Sequence, residues 1–395
     1  MHKKLYNIVF LCLFVISLIP SELRGQGTQD FENEKELIKV ADKHFEKEEF
    51  VSALSMYSQL ASTYPNNHEY NYRYGVCLLY ASEDKSSPII FLSYALQSPD
   101  VSAKVYYYLG KSYHLSYRFD QAIKYYKMFG LKYTEKDFIK FETDRLIQQC
   151  ETAKSMLNNI KDINVYDKKI LDDKEFFRAY RLEGFKGNIL VVPVEIQSDY
   201  DIKKGFKTVT FHNPNYESIY FASKGKKGSG GSDIYKRNKL VTGVWGEPIA
   251  LGMNVNTRYD ENYPFLHPDG VTLYFCSKGH NSIGGYDVFK SRLDTSTNIW
   301  GKPTNVGFAI NSPGDDIMYV TDEFKNAAYF ASNRSNRQGE ITIYKITSDK
   351  KTKSYKVIKG VLNQDEQPLA NSEITVFDSK TGDVVGVYLS DFDGE

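Results

Sequence analysis

YFASKGKKGSGGSDIY (220–235), YFCSKGHNSIGGYDVF (274–289) and YFASNRSNRQGEITIY (329–344) are three versions of one segment, spaced 54 and 55 residues apart. Other positions keep the step. Trp245-Gly246-Glu247-Pro248 returns as Trp300-Gly301-Lys302-Pro303, Asn256 as Asn311, and Asp260-Glu261 as Asp315-Asp316. So many matches at one offset mark a repeated structural unit. The middle copy reads as four short strands. Tyr263 to His267 is the first. Pro268-Asp269-Gly270 is a turn, and Val271 to Ser277, rich in β-branched and aromatic residues, is the second. A Gly-rich loop, Gly279 to Gly285, leads to a third strand from Tyr286 to Leu293, and the Trp300-Gly-x-Pro segment leads to an outer one. Period, strand count and recurring Gly, Trp and Asp predict a β-propeller over 162–350. Three units are explicit, whereas a closed ring takes about four or more. Residues 162 to 207, with the strand-like Asn188-Ile-Leu-Val-Val-Pro-Val, are therefore expected to supply a divergent blade.

Upstream, residues 30–160 carry apolar side chains at helical spacing and almost no Pro or Gly. Aligning Ala53 with Ala122 also pairs Phe50 with Phe119, Tyr57 with Tyr126 and Tyr64 with Tyr133, an offset of 69 residues. That is close to twice the roughly 34-residue period of helical-hairpin repeats. His68 to about Gln97 is the intervening repeat, and an amphipathic helix from about Phe138 to Asn158 is expected to cap the stack. One hairpin cannot bury its own apolar face, so several must stack.

The N-terminus reads as an export address over 1–25. His2, Lys3 and Lys4 precede an apolar run of twelve, Ile8 to Ile19, which is too short to span a bilayer and suits a signal segment. Cleavage is expected near Gly25, leaving Gln26 first. No other stretch is long enough to cross a membrane as a helix. Cys77, Cys150 and Cys276 are far apart and odd in number, which argues against a disulfide framework and for small buried hydrophobes. Lys plus Arg, 50, equals Asp plus Glu, 50, so no single-sign field favours nucleic acid. From Tyr355 the residues alternate apolar and polar, with turns at Gln364-Asp365 and Thr381-Gly382-Asp383.

The 41–67 and 106–136 stretches, with Leu109-Gly110, resemble the tetratricopeptide repeat. That resemblance implies an α-solenoid whose concave groove takes extended peptides or helices. Tyr70, Tyr72 and Tyr106 are candidates for the groove lining, against ordinary packing between repeats. Pro264-x-x-x-Pro268-Asp269-Gly270, Tyr274-Phe275 and Gly284-Gly285-Tyr286-Asp287 resemble the WD40-like, TolB-type repeat of bacterial envelope proteins. With Trp-Gly-x-Pro, the segment is most similar to the propellers of OmpA-family proteins of the Bacteroidetes. The third unit departs from the pattern, with Gly339-Glu340-Ile341-Thr342. Gly360-Val361, Pro368-Leu369-Ala370 and Ser390-Asp391-Phe392-Asp393-Gly394 resemble half of a carboxypeptidase-regulatory-like β-sandwich over 355–395, so the natural chain is expected to continue or this is a fragment. In the resembled family a C-terminal OmpA-like, peptidoglycan-binding domain follows. No residue here carries that domain, so peptidoglycan is a partner only through a part not present.

The chain holds no Gly-x-Ser-x-Gly elbow, His-Glu-x-x-His, phosphate loop or Cys-x-x-Cys. The Gly-rich run Gly225 to Gly231 repeats at Gly279 to Gly285, and His212 repeats at His267, so both read as fold features. Asp260-Glu261 and Asp315-Asp316 could bind Ca²⁺ through carboxylate oxygens, or serve turns and strand ends, the reading favoured by their repetition. Asp233 and Asp287 precede strands alike, with Thr342 in the third copy. The expectation is a multidomain protein, α then β: a tetratricopeptide-like solenoid, a WD40-like propeller and a partial β-sandwich. It would be exported to the periplasm, associated with the outer membrane, free of cofactors and catalysis, and would hold envelope proteins through groove and propeller face. Envelope organisation or assembly of a type IX-like secretion apparatus is the implied setting. The alternative is a ligand- or glycan-binding sensor or enzyme using the propeller channel.

Overall fold

The computed structural model describes residues 34–132, 141–157, 163–225, 230–347, 359–377 and 384–395. The expected signal segment 1–25, Tyr133 and the 381–383 turn lie outside the described residues. The described chain is α then β.

Among the described residues seven helices come first: α1 Glu34–Glu46, α2 Phe50–Thr63, α3 His68–Ala81, α4 Pro88–Ala95, α5 Lys104–Leu115, α6 Phe119–Lys132 and α7 Thr143–Met156. Local chemistry sets their ends. The Asn67 side chain accepts from the Tyr70 amide at 3.0 Å and caps α3. Pro88 opens α4, where its missing N–H costs nothing. Consecutive helices pack on one another from α1 to α6, and α7 closes onto α6. Ala53 and Ala122, aligned in sequence, are both fully buried where helices cross, and so are Tyr57 and Tyr126. Each such aromatic contributes roughly 1.5–3 kcal/mol by leaving water. Tyr57 keeps its hydroxyl satisfied by donating to Asp42, which Arg73 also reaches at 3.0 Å.

The strands follow. The middle unit is β7 Glu261–Leu266, β8 Thr272–Ser277 and β9 Asp287–Asp294, with the short β10 Ile299–Trp300 and β11 Thr304–Asn305 both paired to β9. The next is β12 Asp316–Thr321, β13 Ala327–Ser332 and β14 Glu340–Thr347. The first has β3 Val209–His212, β4 Ser218–Ser223, β5 Asp233–Asn238 and β6 Ile249–Ala250. There β3 makes no ladder with β4. Instead the Thr210 and Thr208 hydroxyls donate to the Tyr220 and Ala222 carbonyls at 2.6 and 3.3 Å. β7 packs against β3 and β4 of the preceding unit, and β12 against β7 and β8. Phe265, Cys276, Val288, Ile317, Val320, Phe330 and Ile343 fill the space between the last two sheets.

The expectation that 162–207 forms a blade of its own is corrected. Strand β1, Asn164–Asp172, pairs antiparallel with β14 from Asn164↔Thr347 to Asp172↔Glu340 and so supplies the fourth strand of the last unit. β2, Asn188–Val191, pairs only with β3, and α8, Asp199–Lys204, follows it.

The inner strands β7 and β12 each carry a bulge at the same place. Tyr263 has φ 53° and Met318 has φ 52°, and the ladders shift register around them. Bulky residues rarely adopt this left-handed region, so the surroundings must hold it. Tyr180 does so at one of the two, donating its buried hydroxyl to the Met318 carbonyl at 3.0 Å.

Two small hairpins end the described chain: β15 Asn363–Gln364 with β16 Gln367–Pro368, and β17 Glu373–Phe377 with β18 Val384–Leu389. The expected turn at Gln364-Asp365 is present, with positive φ at both Asp365 and Glu366, as a tight hairpin turn requires. An Arg118–Asp391 ion pair ties this region to the helices.

Candidate functional site

The side chains that repeat with the strand units are spent on joints. Asn256 accepts from the Ile234 amide at 2.8 Å and donates to the Ile234 carbonyl at 3.0 Å. Asn311 does the same to Val288, at 2.8 and 2.9 Å. Each asparagine thus closes the backbone of the strand before it. The acidic pairs divide their labour. Asp260 accepts from the Ser232 amide at 2.9 Å and Asp315 from the Tyr286 amide at 2.8 Å, each reaching back to the preceding Gly-Gly loop. A Cβ on Gly231 would overlap the Tyr259 carbonyl, and one on Gly284 the Pro313 carbonyl, so these loops need glycine for close approach. Glu261 and Asp316 are buried and turn inward. Glu261 accepts from the Thr257 amide and hydroxyl at 2.7 and 2.8 Å and from Ser277 at 2.6 Å. Asp316 accepts from the Ser312 amide and hydroxyl and from Arg334. Ser198 and Asp201 form the same Ser/Thr-to-carboxylate joint in the first unit as a capping box. Burial pushes the Glu261 carboxyl up to about 7, against the hydrogen bonds that favour its charge.

The two histidines also serve the fold. His267 is buried. Its Nδ1 accepts from the Asp269 amide at 3.2 Å inside the Pro-Asp-Gly turn, and its Nε2 lies 3.3 Å from the Asp322 carbonyl. His212 packs edge-on to Trp245, and burial lowers its pKa. Asp287 accepts from the Ile283 amide and Asn305, Asp233 is half-buried at the head of β5, and Thr342 replaces the pattern with a hydroxyl bond to Asn336. The described residues contain no group of three or more His, Cys, Asp or Glu arranged to hold a metal.

Residues that do not repeat converge elsewhere, where α3, α5 and α7 face the loops of the strand units. His114 Nε2 donates to the Ile283 carbonyl at 2.8 Å. The Gln338 amide donates to the Tyr80 carbonyl at 2.8 Å. Tyr80 and His114 are 34 residues apart, about one helical repeat, and Ile283 and Gln338 are 55 apart, one strand unit. Two helices one repeat apart therefore meet the same loop position of two adjacent strand units, the earlier helix meeting the later unit. Gln149 on α7 donates to Ser282 Oγ at 2.9 Å and to the Gly284 carbonyl, and Arg145 donates to the Lys278 carbonyl at 2.8 Å. Lys85 spends its ammonium on three carbonyls, of Leu79, Ser82 and Asn336, at 3.1, 2.7 and 2.8 Å. Most acceptors across this seam are main-chain carbonyls.

Between these grips a cleft of about 670 Å³ stays open. Tyr80, Tyr107, Tyr126, Tyr263 and Tyr286 give it aromatic walls. Its lining holds six Lys and Arg side chains and three Asp and Glu, and carboxylates just outside it, Asp316, Asp260, Glu142 and Glu83, pair with four of the six. Burial, and next the charge of Lys111, lower Lys85 to about 8. Burial lowers His114 to about 4, which keeps the ring neutral with its Nε2–H on Ile283.

Tyr70, Tyr72 and Tyr106 do not line this cleft. Tyr72 is 5 % exposed and packs in the helical core beside Phe45 and Tyr108, which corrects its assignment as a groove residue. Tyr70 is half-buried and donates to Glu34 at 2.6 Å, and Tyr106 is half-buried against the same core. The sequence reading missed Tyr80, Lys85, Lys111, His114, Arg145 and Gln149. One signal was available: Ile283 is apolar inside a polar loop, where its counterparts are Ser229 and Gln338. No protein-family model matches the chain, and no curated protein matches it.

Proposed function

We propose that the chain is an exported scaffold that binds protein partners in the cell envelope, its helices being tetratricopeptide-type repeats and its strand units propeller blades. One observation carries the reading. The helical array already holds irregular loop segments by their main-chain carbonyls, in cis, through His114, Arg145, Gln149 and Lys85. A surface that reads backbone rather than side chains suits the peptide-holding role that the resembled repeats imply. The β1–β14 pairing supports the propeller reading, because a strand from before the first unit completes the last sheet. In envelopes the chain would organise neighbours or assemble an export apparatus of the type IX kind.

Chemical cross-linking in intact envelopes, followed by capture of the full chain, tests the proposal. A defined set of envelope proteins in fixed ratio to the chain is expected. Recovery of the chain alone would overturn it. A second reading, ligand sensing, is favoured by the recess lined by tyrosines, Lys85 and Lys111 at the seam between helices and strands.

A further inference from the structure

We propose that the recess at the seam binds a compact anion, a small molecule bearing a carboxylate or phosphate group, with Lys111 as its charge partner. The inference rests on the ligand-sensing reading and names its ligand class. Most basic groups in the lining already have a carboxylate. Arg334 pairs with Asp316 at 2.7 Å, Lys278 with Asp260 at 3.2 Å, Arg145 with Glu142 at 2.6 Å, and Arg337 with Glu83 at 3.6 Å. Lys85 is committed to carbonyls. Lys111 differs. Its ammonium meets the Tyr80 hydroxyl at 3.0 Å and lies 4.6 Å from the centre of that ring, and among the described residues no carboxylate is within ion-pair distance.

A second group points the same way. Tyr126 lines the recess, is fully buried, and its hydroxyl has no hydrogen-bond partner among the described residues. Leaving a buried hydroxyl unpaired is costly, so its retention calls for an explanation. Burial holds its pKa far above the usual tyrosine range, so it remains a donor. An ammonium and an O–H that both lack an anionic or carbonyl acceptor suit a ligand that brings acceptor oxygens. Lys111 also opposes Lys85 and His114 electrostatically. An anion beside Lys111 would relieve that repulsion and raise Lys85, so binding near pH 8 would take up a fraction of a proton.

Isothermal titration of the full chain at low ionic strength, with inorganic phosphate and separately with citrate as probes, tests this. One probe or both should bind at one site. Binding of phosphate alone would assign a phosphate ligand, and of citrate alone a carboxylate. Lys111→Met, which keeps the stem over Tyr80, should weaken binding about tenfold or more, and Tyr126→Phe by a smaller factor. Repeating the titration at pH 8 in buffers of different ionisation heat should show proton uptake. Silence with both probes, or unchanged affinity in Lys111→Met with an unchanged melting temperature, would overturn the proposal. Cross-linked partners should persist in Lys111→Met, so loss of the scaffold reading and loss of this one are separate results.

Discussion

The Nε2 of His114, on α5, stands 2.8 Å from the carbonyl oxygen of Ile283, in the loop between β8 and β9, and both residues are buried. The bond joins a helical repeat to a strand unit. Gln149 grips the same loop one residue to either side, at Ser282 and Gly284.

His114→Ala leaves the Ile283 carbonyl buried without a donor. The expected cost is about 1–3 kcal/mol in urea unfolding. Gln149→Ala should cost a similar amount. The two should couple, because each holds the loop in place for the other, and a double-mutant cycle should give an interaction above about 0.5 kcal/mol. Strict additivity would mean that the loop is held elsewhere.

Two buried groups make opposing pH terms. His114 is lowered from 6.5 to about 4, so the unfolded chain binds the extra proton between those values and stability rises with pH there. Glu261 is raised from 4.5 to about 7, so the folded chain binds the extra proton and stability falls as pH rises across that window. Each term is on the order of 3 kcal/mol, and they largely cancel between pH 4.5 and 6.5. Removing one exposes the other. Relative to the wild type, Glu261→Gln should tilt the pH dependence of stability upward and His114→Ala should tilt it downward. Urea midpoints from pH 4 to 8 show the sign.

The Gly-Gly joints should tolerate no side chain. Gly231→Ala and Gly284→Ala drive a methyl into backbone carbonyls and should cost more than about 3 kcal/mol or prevent folding. Gly270→Ala places its methyl in open space at φ 72° and should cost only about 1 kcal/mol. Equal effects would contradict the packing of one unit's loop on the next unit's entry.

Asn311→Asp should be far more damaging than Asn256→Asp. Asn311 is fully buried, and its amide donates to the Val288 carbonyl and to Asn305, near Asp287 and Asp316. A carboxylate there loses both bonds and sits among acids, at about 3 kcal/mol or more. Asn256 is only half-buried. Thermal unfolding of the two variants gives the comparison.

Sequence periodicity located the strand units and the helical crossings, because Trp, Asn, Gly and the acidic pairs recur wherever the same joint is built. β1 escaped it for a physical reason. An edge strand that is exposed along nearly its whole length has no apolar alternation, and its partner β14 lies far along the chain. The bulges at Tyr263 and Met318 left no sign because neither residue type favours positive φ. The recess was illegible for another reason. Lys111, His114 and Gln149 read as ordinary polar positions of amphipathic helices, and only the docking of two different periodicities gives them partners. Tyr72 misled, since it fills the core as readily as it could have lined a groove.

The most direct test is amide hydrogen exchange of the 278–286 loop in the full chain and in His114→Ala/Gln149→Ala. If the helical array holds this loop, the Ile283 and Gly285 amides, bonded to Asp287 and to the Gly314 carbonyl, exchange slowly in the wild type. They should exchange much faster in the variant, while β8 and β9 stay protected. Equal exchange in the two proteins would contradict the account.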